Sequence, residues 1–411
     1  MKSVGSIDSI LWAVCLLLAM PAQAASGLGA ALQAALSQHP SVSAKRAEVA
    51  AKAHLVDSAK AQRYPSLSGQ LAAQNNDSQP ANVRLRQPLW AFGRIDSNID
   101  YADAGRSLEE ANLLRLRRQM MDETSVAYAR VLGVTQRLRI AAENLAGLDR
   151  MYRQIQRREQ GQLAAQADVR LALARLTQAR ALQERLVGEL EIARTDLLNL
   201  TQTPVAAGEP PPEWVTRLPR LAEIEVLAET QSADIRVKTQ ELALAQADAA
   251  RERSAPMPTL YLQADKPFNQ PLGFSNEGRI GIVLEGAIDG MGLAASGRNQ
   301  AAEARKQAAM DTLAAARSEV KRSVSSLWSQ RQVQTALLES RKHSVAELTE
   351  ILASYQRQYE AGQKSWLDVL NMQRELADER QQHAQSEQDW MTVTLKLAAL
   401  TGALDRLAEP R

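Results

Sequence analysis

Cysteine is all but missing: the 411 residues hold one, Cys15, inside an apolar N-terminal run. A lone thiol forms no internal disulfide and leaves no thiolate set for a metal. Aromatic residues are scarce, at 4%. Beyond the N-terminus no apolar run approaches the ~20 residues that a membrane-spanning helix needs. Insertion into a bilayer would therefore require strands closed into a barrel. Neither sign of charge dominates: 49 Lys and Arg face 47 Asp and Glu, a net charge of +2. With no block of like charge, the composition gives no support for a nucleic-acid partner. The histidines, His39, His54, His343 and His383, have no second histidine at metal-ligand spacing. No glycine-rich phosphate loop and no nucleophile–base constellation is visible. These absences argue against an enzyme, a bound metal and a cofactor.

Proline is missing from two long stretches, Leu89 to Thr203 and Leu272 to Glu409, and between Arg298 and Thr401 the one glycine is Gly362. What fills these stretches is Ala, Leu, Gln, Arg and Glu, the composition of long helices or coiled coil. The N-terminus reads as an export leader. Lys2 supplies the positive end, Ile10 to Met20 the apolar core, and Ala22-Gln23-Ala24 a small-residue cleavage site. A core of about 11 residues is too short to span ~30 Å of hydrocarbon. Cleavage after Ala24 would leave a cysteine-free mature chain, and no cysteine stands at that site for lipidation.

Where proline does occur, it exposes a repeat. "HPSVSAKRAEV" begins at His39 and "SADIRVKTQEL" at Ser232; Val42 matches Ile235, Pro65 matches Pro258 and Leu67 matches Leu260 at one constant offset. Later, "LLNLTQT" near Leu200 matches "KLAALTGA" near Leu400. Each unit starts with a helical segment that stops at the proline. Two short segments of alternating character follow: "SLSGQLAAQ" and "NVRLRQPLW", then "TLYLQAD" and "GRIGIVLEGAI". Val83, Leu85 and Leu89 fall on one face and Arg84 and Arg86 on the other; Ile280, Ile282 and Leu284 oppose Gly281, Val283 and Glu285. Period 2 signals strands with an apolar and a polar face. Each is about the 9–11 residues of a barrel strand, and surface hairpins would show the same pattern. Glycine-dense "GMGLAASGR" (Gly290 to Arg298) follows a strand and opens a helix where the first copy has "FGR". It reads as a strand-to-helix junction rather than a nucleotide site.

The strongest signal has period seven. Leu338, Val345, Leu352 and Tyr359 precede Gly362; Val369, Leu376, His383, Trp390 and Leu397 follow it. The first copy carries Val131, Leu138, Leu145 and Tyr152, then Val169, Leu176, Gln183, Leu190 and Leu197. Such stripes are coiled-coil seams. They predict two antiparallel helical hairpins bending at Gly161 and Gly362. His383, level with Gln183, reads as a polar layer in the seam. A single long hairpin buries too little to stand alone, and hairpins packed side by side into a cylinder would solve that.

The chain resembles the TolC-like outer-membrane export ducts of Gram-negative bacteria. The resemblance rests on the duplication, the "YPSLS" strand start, the junction "QPLWAFGRIDSNIDYA" (Gln87 to Ala102), and the tips "EQGQLAAQADVRLALARL" and "YEAGQKSWLDVLNMQREL". It implies a mainly α fold with a small β-barrel portion. Long coiled-coil hairpins would form an α-barrel, and four strands per protomer would close a trimeric 12-stranded barrel in outer-membrane lipid. On this reading residues 1–24 are the leader, 25–203 the first repeat, 204–220 a Pro-rich connector, 221–403 the second repeat and 404–411 a tail. The implied partners are two further copies, a periplasmic adaptor (membrane fusion protein) and an inner-membrane transporter of ABC type. Gly161, Gln162, Leu163, Gly362 and Gln363 would be the adaptor-docking tips. Asp168, Tyr359, Lys364 and Asp368 would form a periplasmic gate. Lys364 stands where the best-known family member has arginine, and lysine offers no bidentate fork; Asn371 stands where that member has a second aspartate. Without the family pattern, Asp168 and Asp368 read equally well as caps of the returning helices.

An adaptor would carry one hairpin between β-rich domains, and a secreted coiled coil would not need strand pairs after each proline. The duct fits both observations. The missing lipidation cysteine points to the type I protein-secretion branch, with small-molecule efflux by the same fold as the alternative.

Overall fold

The computed structural model describes residues 27–71, 81–268, 276–287 and 289–408. The expected leader, Cys15, the end of the first strand-like segment beyond Leu71, Ile288 and the last three residues of the expected tail lie outside the described residues. Helices α1 (Gly27–Gln38) and α2 (Pro40–Ala61) lead to strands β1 (Ser66–Leu71) and β2 (Ala81–Trp90), then to α3 (Arg94–Gln160) and α4 (Gln166–Thr201). After α5 (Glu213–Thr216) the order recurs as α6 (Leu221–Gln231), α7 (Ala233–Ser254), β3 (Thr259–Phe268), β4 (Arg279–Glu285), α8 (Leu293–Glu360) and α9 (Trp366–Leu400). A last turn, α10, covers Asp405–Ala408.

The helical segment ahead of each strand pair is preceded by a further helix that the sequence reading did not separate. The breaks fall at matching residues. His39 is extended before Pro40, as a pre-proline residue is driven to be, and its Nδ1 accepts the Ser41 N–H at 3.2 Å. Ser232 is also non-helical, and its hydroxyl accepts the Ile235 N–H at 3.3 Å. Both residues cap the helix that follows.

The outgoing helices α3 and α8 have 67 and 68 residues and the returning α4 and α9 have 36 and 35. At 1.5 Å per residue that is about 100 Å out and just over 50 Å back. Each return helix therefore covers only the half of its partner nearest the tip. Every residue of the period-seven stripes is buried or half-buried. The other half of α3 is covered by α2 and α7, and that of α8 by α7. Lys45 of α2 meets Glu109 of α3 at 2.7 Å, Arg251 of α7 stacks on Tyr101 of α3 at 3.8 Å, and Arg253 of α7 meets Glu303 of α8 at 2.9 Å. The two hairpins join along α3 and α9, where Gln373 bonds Asn144 at 2.9 Å and Gln381 donates to the Arg137 carbonyl at 2.8 Å.

The main core sits midway along the long helices. There α1 (Leu28, Leu32, Leu36), Val215 of α5 and Leu404 beside α10 pack on Met120, Tyr128, Val131 and Leu395. Tyr128 is fully buried, and its hydroxyl donates to the Glu209 carbonyl at 2.7 Å. The Pro-rich connector is thus a packed part of the core. A second cluster near the tips joins Leu148, Met151 and Ile155 to Leu176, Leu352, Trp366 and Leu376.

The strands form one antiparallel sheet in the order β1-β2-β3-β4, with β2 and β3 bringing the repeats together. Arg84 pairs with Asp265 and Leu85 with Ala264, and the register slips at a bulge between Pro88 and Trp90. One chain exposes 25502 Å². A compact monomer of 45.0 kDa would expose about 16,000 Å². Long rods expose more surface than a compact body of the same mass.

Candidate functional site

Two regions carry the features that bear on function: the sheet at one end of the rods and the hairpin tips at the other. In the sheet, register and side-chain alternation sort the residues into two faces. Leu67, Leu71, Val83, Leu85, Leu262, Phe268, Ile280, Ile282 and Leu284 share one face and are all exposed. Ser66, Ser68, Arg84, Arg86, Gln263, Asp265, Arg279 and Glu285 share the other. Ion pairs bind that polar face across strands: Arg84–Asp265 at 2.6 Å and Arg86–Glu285 at 2.8 Å. Exposing a continuous apolar face while pairing charges on the opposite one is costly in water. It suits a sheet with lipid outside and an aqueous lumen inside. Lys266 and Gln87 are polar residues on that face; the Lys266 ammonium reaches back to the Asn276 carbonyl at 3.0 Å, and the Gln87 amide donates to the Arg63 carbonyl at 2.9 Å.

At the second tip α8 ends at Ala361, and Gly362 takes the left-handed conformation with φ +74°. The Gln363 N–H then closes the bend onto the Gln358 carbonyl at 2.8 Å. The first tip has the same geometry one residue out of step with its glycine. Gly161 is the ordinary C-cap of α3 with φ −81°, and Gln162 takes the left-handed position with φ +59°. Leu163 closes the bend onto the Arg158 carbonyl at 2.8 Å. Gly161, Gln162, Leu163, Gly362 and Gln363 are all exposed.

Asp168 and Asp368 occupy the same place, three residues after the N-caps Ala165 and Ser365. Asp368 completes a capping box: its carboxylate accepts the Ser365 hydroxyl at 2.7 Å and the Ser365 N–H at 3.1 Å. The Ser365 hydroxyl, then the Ser365 backbone N–H, hold the Asp368 carboxyl below its ordinary pKa, and the charge of Lys364 pushes the same way. Asp168 faces the alanine cap Ala165, which offers no such partner. Lys364 places its ammonium 4.4 Å from the Tyr355 ring centroid. Tyr359 stacks on Trp366 at 5.3 Å, and Arg158 of the first hairpin lies 4.6 Å over its ring. Within one chain, then, the four gate candidates share a tip region but form no direct ion pair or hydrogen bond with one another among the described residues.

Sequence reading missed Arg158 and Trp366. Trp366 is 5% exposed, its indole N–H is unpartnered, and it lines a groove of about 770 Å³ between the hairpins with Asn144, Arg150, Gln356, Gln373 and Arg380. The signal available was Tyr359 and Trp366 seven residues apart across the bend.

No helix among the described residues is long and apolar enough to cross a membrane, and no cluster there could hold a metal ion. No curated protein matches the chain. Solved structures do. The outer-membrane channel OprN is 21% identical, with 92% of this chain and 90% of that one covered and a TM-score of 0.75. VceC, an outer membrane protein of Vibrio cholerae, is 17% identical over 92% of this chain and 95% of its own, with a TM-score of 0.74. The open state of the MtrE outer membrane channel of Neisseria gonorrhoeae is 18% identical over 93% and 91%, with a TM-score of 0.77. At these identities the likeness shows the fold. The family is shown by sequence, since residues 31–202 and again 226–403 match the outer membrane efflux proteins. The chain belongs to that family: it is an outer-membrane transport duct with a long periplasmic helical extension, and not an enzyme.

Proposed function

We propose that three copies of the chain close into the exit duct of a tripartite export system, fed by a periplasmic adaptor and an inner-membrane transporter. The observation that carries this is the pair of open flanks. The sheet ends at β1 on one side and β4 on the other, and α8, covered by α7 on one flank, lacks on the other the cover that α2 gives α3. Another copy supplies what is missing: its β1 beside β4, its α2 beside α8. Head-to-tail pairing of this kind closes into a ring. Three copies give twelve strands, the number the family pattern implies.

At the narrow end the tips carry the gate and the docking surface. Asp168 and Asp368 from three copies bring six carboxylates around the mouth, and Tyr359 and Lys364 hold neighbouring hairpins inward against their repulsion. The exposed bends at Gly161–Leu163 and Gly362–Gln363 meet the adaptor.

The cargo is protein, delivered by an ABC-type transporter in type I secretion. Support comes from the sequence: the lipidation cysteine of lipid-anchored drug ducts is missing. Deleting the gene tests this. Loss of one or a few large proteins from the medium, with unchanged susceptibility to hydrophobic drugs, is the expected result. Drug hypersensitivity with an unchanged set of secreted proteins would assign the duct to small-molecule efflux.

A further inference from the structure

The polar face of the sheet carries more cations than it pairs. Arg84, Arg86 and Arg279 lie on that face in β2 and β4, and Asp265 and Glu285 are its carboxylates among the described residues. Asp265 stands between Arg84 and Arg279 in register. Its Oδ1 accepts from Arg84 at 2.6 Å and its Oδ2 from the Gln263 amide. Arg279 is exposed and makes no ion pair among the described residues. Glu285 is taken by Arg86 at 2.8 Å. Arg94, the first residue of α3, reaches the foot of the same face and finds only hydroxyls there. It donates to Thr259 at 2.6 Å, and the Tyr261 hydroxyl lies at 3.4 Å. Arg94 also makes no ion pair among the described residues. Four arginines thus meet two carboxylates, an excess of two positive charges per chain.

Neither unpaired arginine is needed by one chain alone. A cation in the first turn of a helix opposes the helix dipole, and the second repeat opens α8 with Leu293 at the place of Arg94, each directly after a left-handed glycine. Ser66 and Ser68 show that uncharged residues satisfy the polar face. Closing the ring gathers the excess. Twelve strands about 4.8 Å apart, tilted by about 40°, enclose a backbone radius of about 12 Å. Arginine side chains extend inward from that wall. The charges of three copies, six in excess, therefore lie within a Debye length of the axis, ~10 Å at 0.1 M salt. Lipid around the barrel has a low dielectric constant and focuses their field into the lumen. Rings of arginine in a pore favour anions.

We propose that Arg94 and Arg279 of three copies form a positive band at the sheet end of the lumen, which selects inorganic anions and, among larger passengers, acidic ones. The inference rests on the closed-ring reading above. Reversal potentials in planar bilayers test it, with KCl gradients centred at about 0.1 M and about 1 M, where the screening length falls from ~10 to ~3 Å. Arg94→Gln with Arg279→Gln should lower the chloride-to-potassium permeability ratio several-fold in the dilute gradient and less in the concentrated one. Arg94→Lys with Arg279→Lys should keep the parent's ratio. Arg279→Gln alone should lower the ratio partway. It has no ion pair among the described residues to lose, so it gives an answer even where replacing Arg94 disturbs folding. Inorganic tripolyphosphate locates the charge: added on the side where the sheet opens, it should block the parent at several-fold lower concentration than the double glutamine variant. Discrete channels with an unchanged ratio in both glutamine variants, or with equal block by tripolyphosphate, would overturn the band and leave the ring standing. A ratio lost equally in the lysine variant would make the arginines structural and overturn the band as well. Protein that inserts without giving channels would remove the ring reading and the band with it.

Discussion

Replacing Gly133 probes the close approach of α3 and α9, the seam that joins the two repeats. A Cβ built on Gly133 would lie 2.6 Å from the Cβ and 2.5 Å from the Cγ of Gln388. Carbon atoms prefer ~3.5–4.0 Å, so the helices would have to part by about 1 Å. The Gln388 amide can swing away, but its Cβ cannot. Gly133→Ala gains about 1 kcal/mol of helix propensity and loses about 1–3 kcal/mol to overpacking. The expected net effect is a loss of up to about 2 kcal/mol, and Gly133→Leu should lose more. Gln388→Gly removes the opposing Cβ at a cost of about 1 kcal/mol as a helix glycine. The double variant Gly133→Ala/Gln388→Gly should then be more stable than the sum of the single changes, a coupling of about 1–2 kcal/mol. Denaturant unfolding in detergent, followed by helix circular dichroism, measures all four proteins. A Gly133→Ala protein more stable than the parent, with no coupling to Gln388, would refute the close packing of the seam.

The tips give predictions of opposite sign. Gly362→Ala should cost about 1–2 kcal/mol because the position is left-handed, whereas Gly161→Ala should be neutral and Gln162→Gly neutral or slightly stabilising; hydrogen exchange at the amides of residues 163 and 363 reads each effect. Asp122 has a buried oxygen without a partner, and burial raises its pKa against the pull of Lys396. Its carboxylate therefore destabilises the fold above the unfolded pKa of about 4, so Asp122→Asn should raise the melting temperature at pH 7 and lose that advantage below pH ~4. Asp368 is the reverse case. Its depressed pKa means the cap contributes at neutral pH and is lost as pH falls through the folded-state value, below about 4; faster exchange in the first turn of α9 under those conditions, reproduced at pH 7 by Ser365→Ala, checks it.

The hairpins were legible because heptad stripes such as Leu338–Val345–Leu352–Tyr359 report a local periodicity that no distant contact can override. The strands were legible for the same reason, since period 2 in Val83–Leu85 and Ile280–Ile282–Leu284 survives in each segment alone. The middle core was not. Leu28 and Leu32, Val215 and Leu404 come from chain segments far apart in sequence, and each segment alone is too short to show a period. At the first tip the glycine sits one residue before the left-handed position, so the glycine marks the bend while Gln162, named only as a tip residue, takes the turn. The contact of Arg158 with Tyr359 joins different repeats and has no local signature. The period-seven pattern places Asp168 and Asp368 at a helix start, where a cap and a gate residue look alike. The capping box of Ser365 and Asp368 is visible within one chain, whereas a gate exists only between copies.

The central claim, that copies of this chain enclose a conducting path across the outer membrane, is tested most directly by single-channel recording in planar bilayers. Purified protein should give discrete channels. The variant Tyr359→Phe with Lys364→Ala, which removes the hydroxyl and the cation of the proposed gate, should conduct more than the parent. Folded protein that inserts into the bilayer yet gives no channels, in parent and variant alike, would contradict the account.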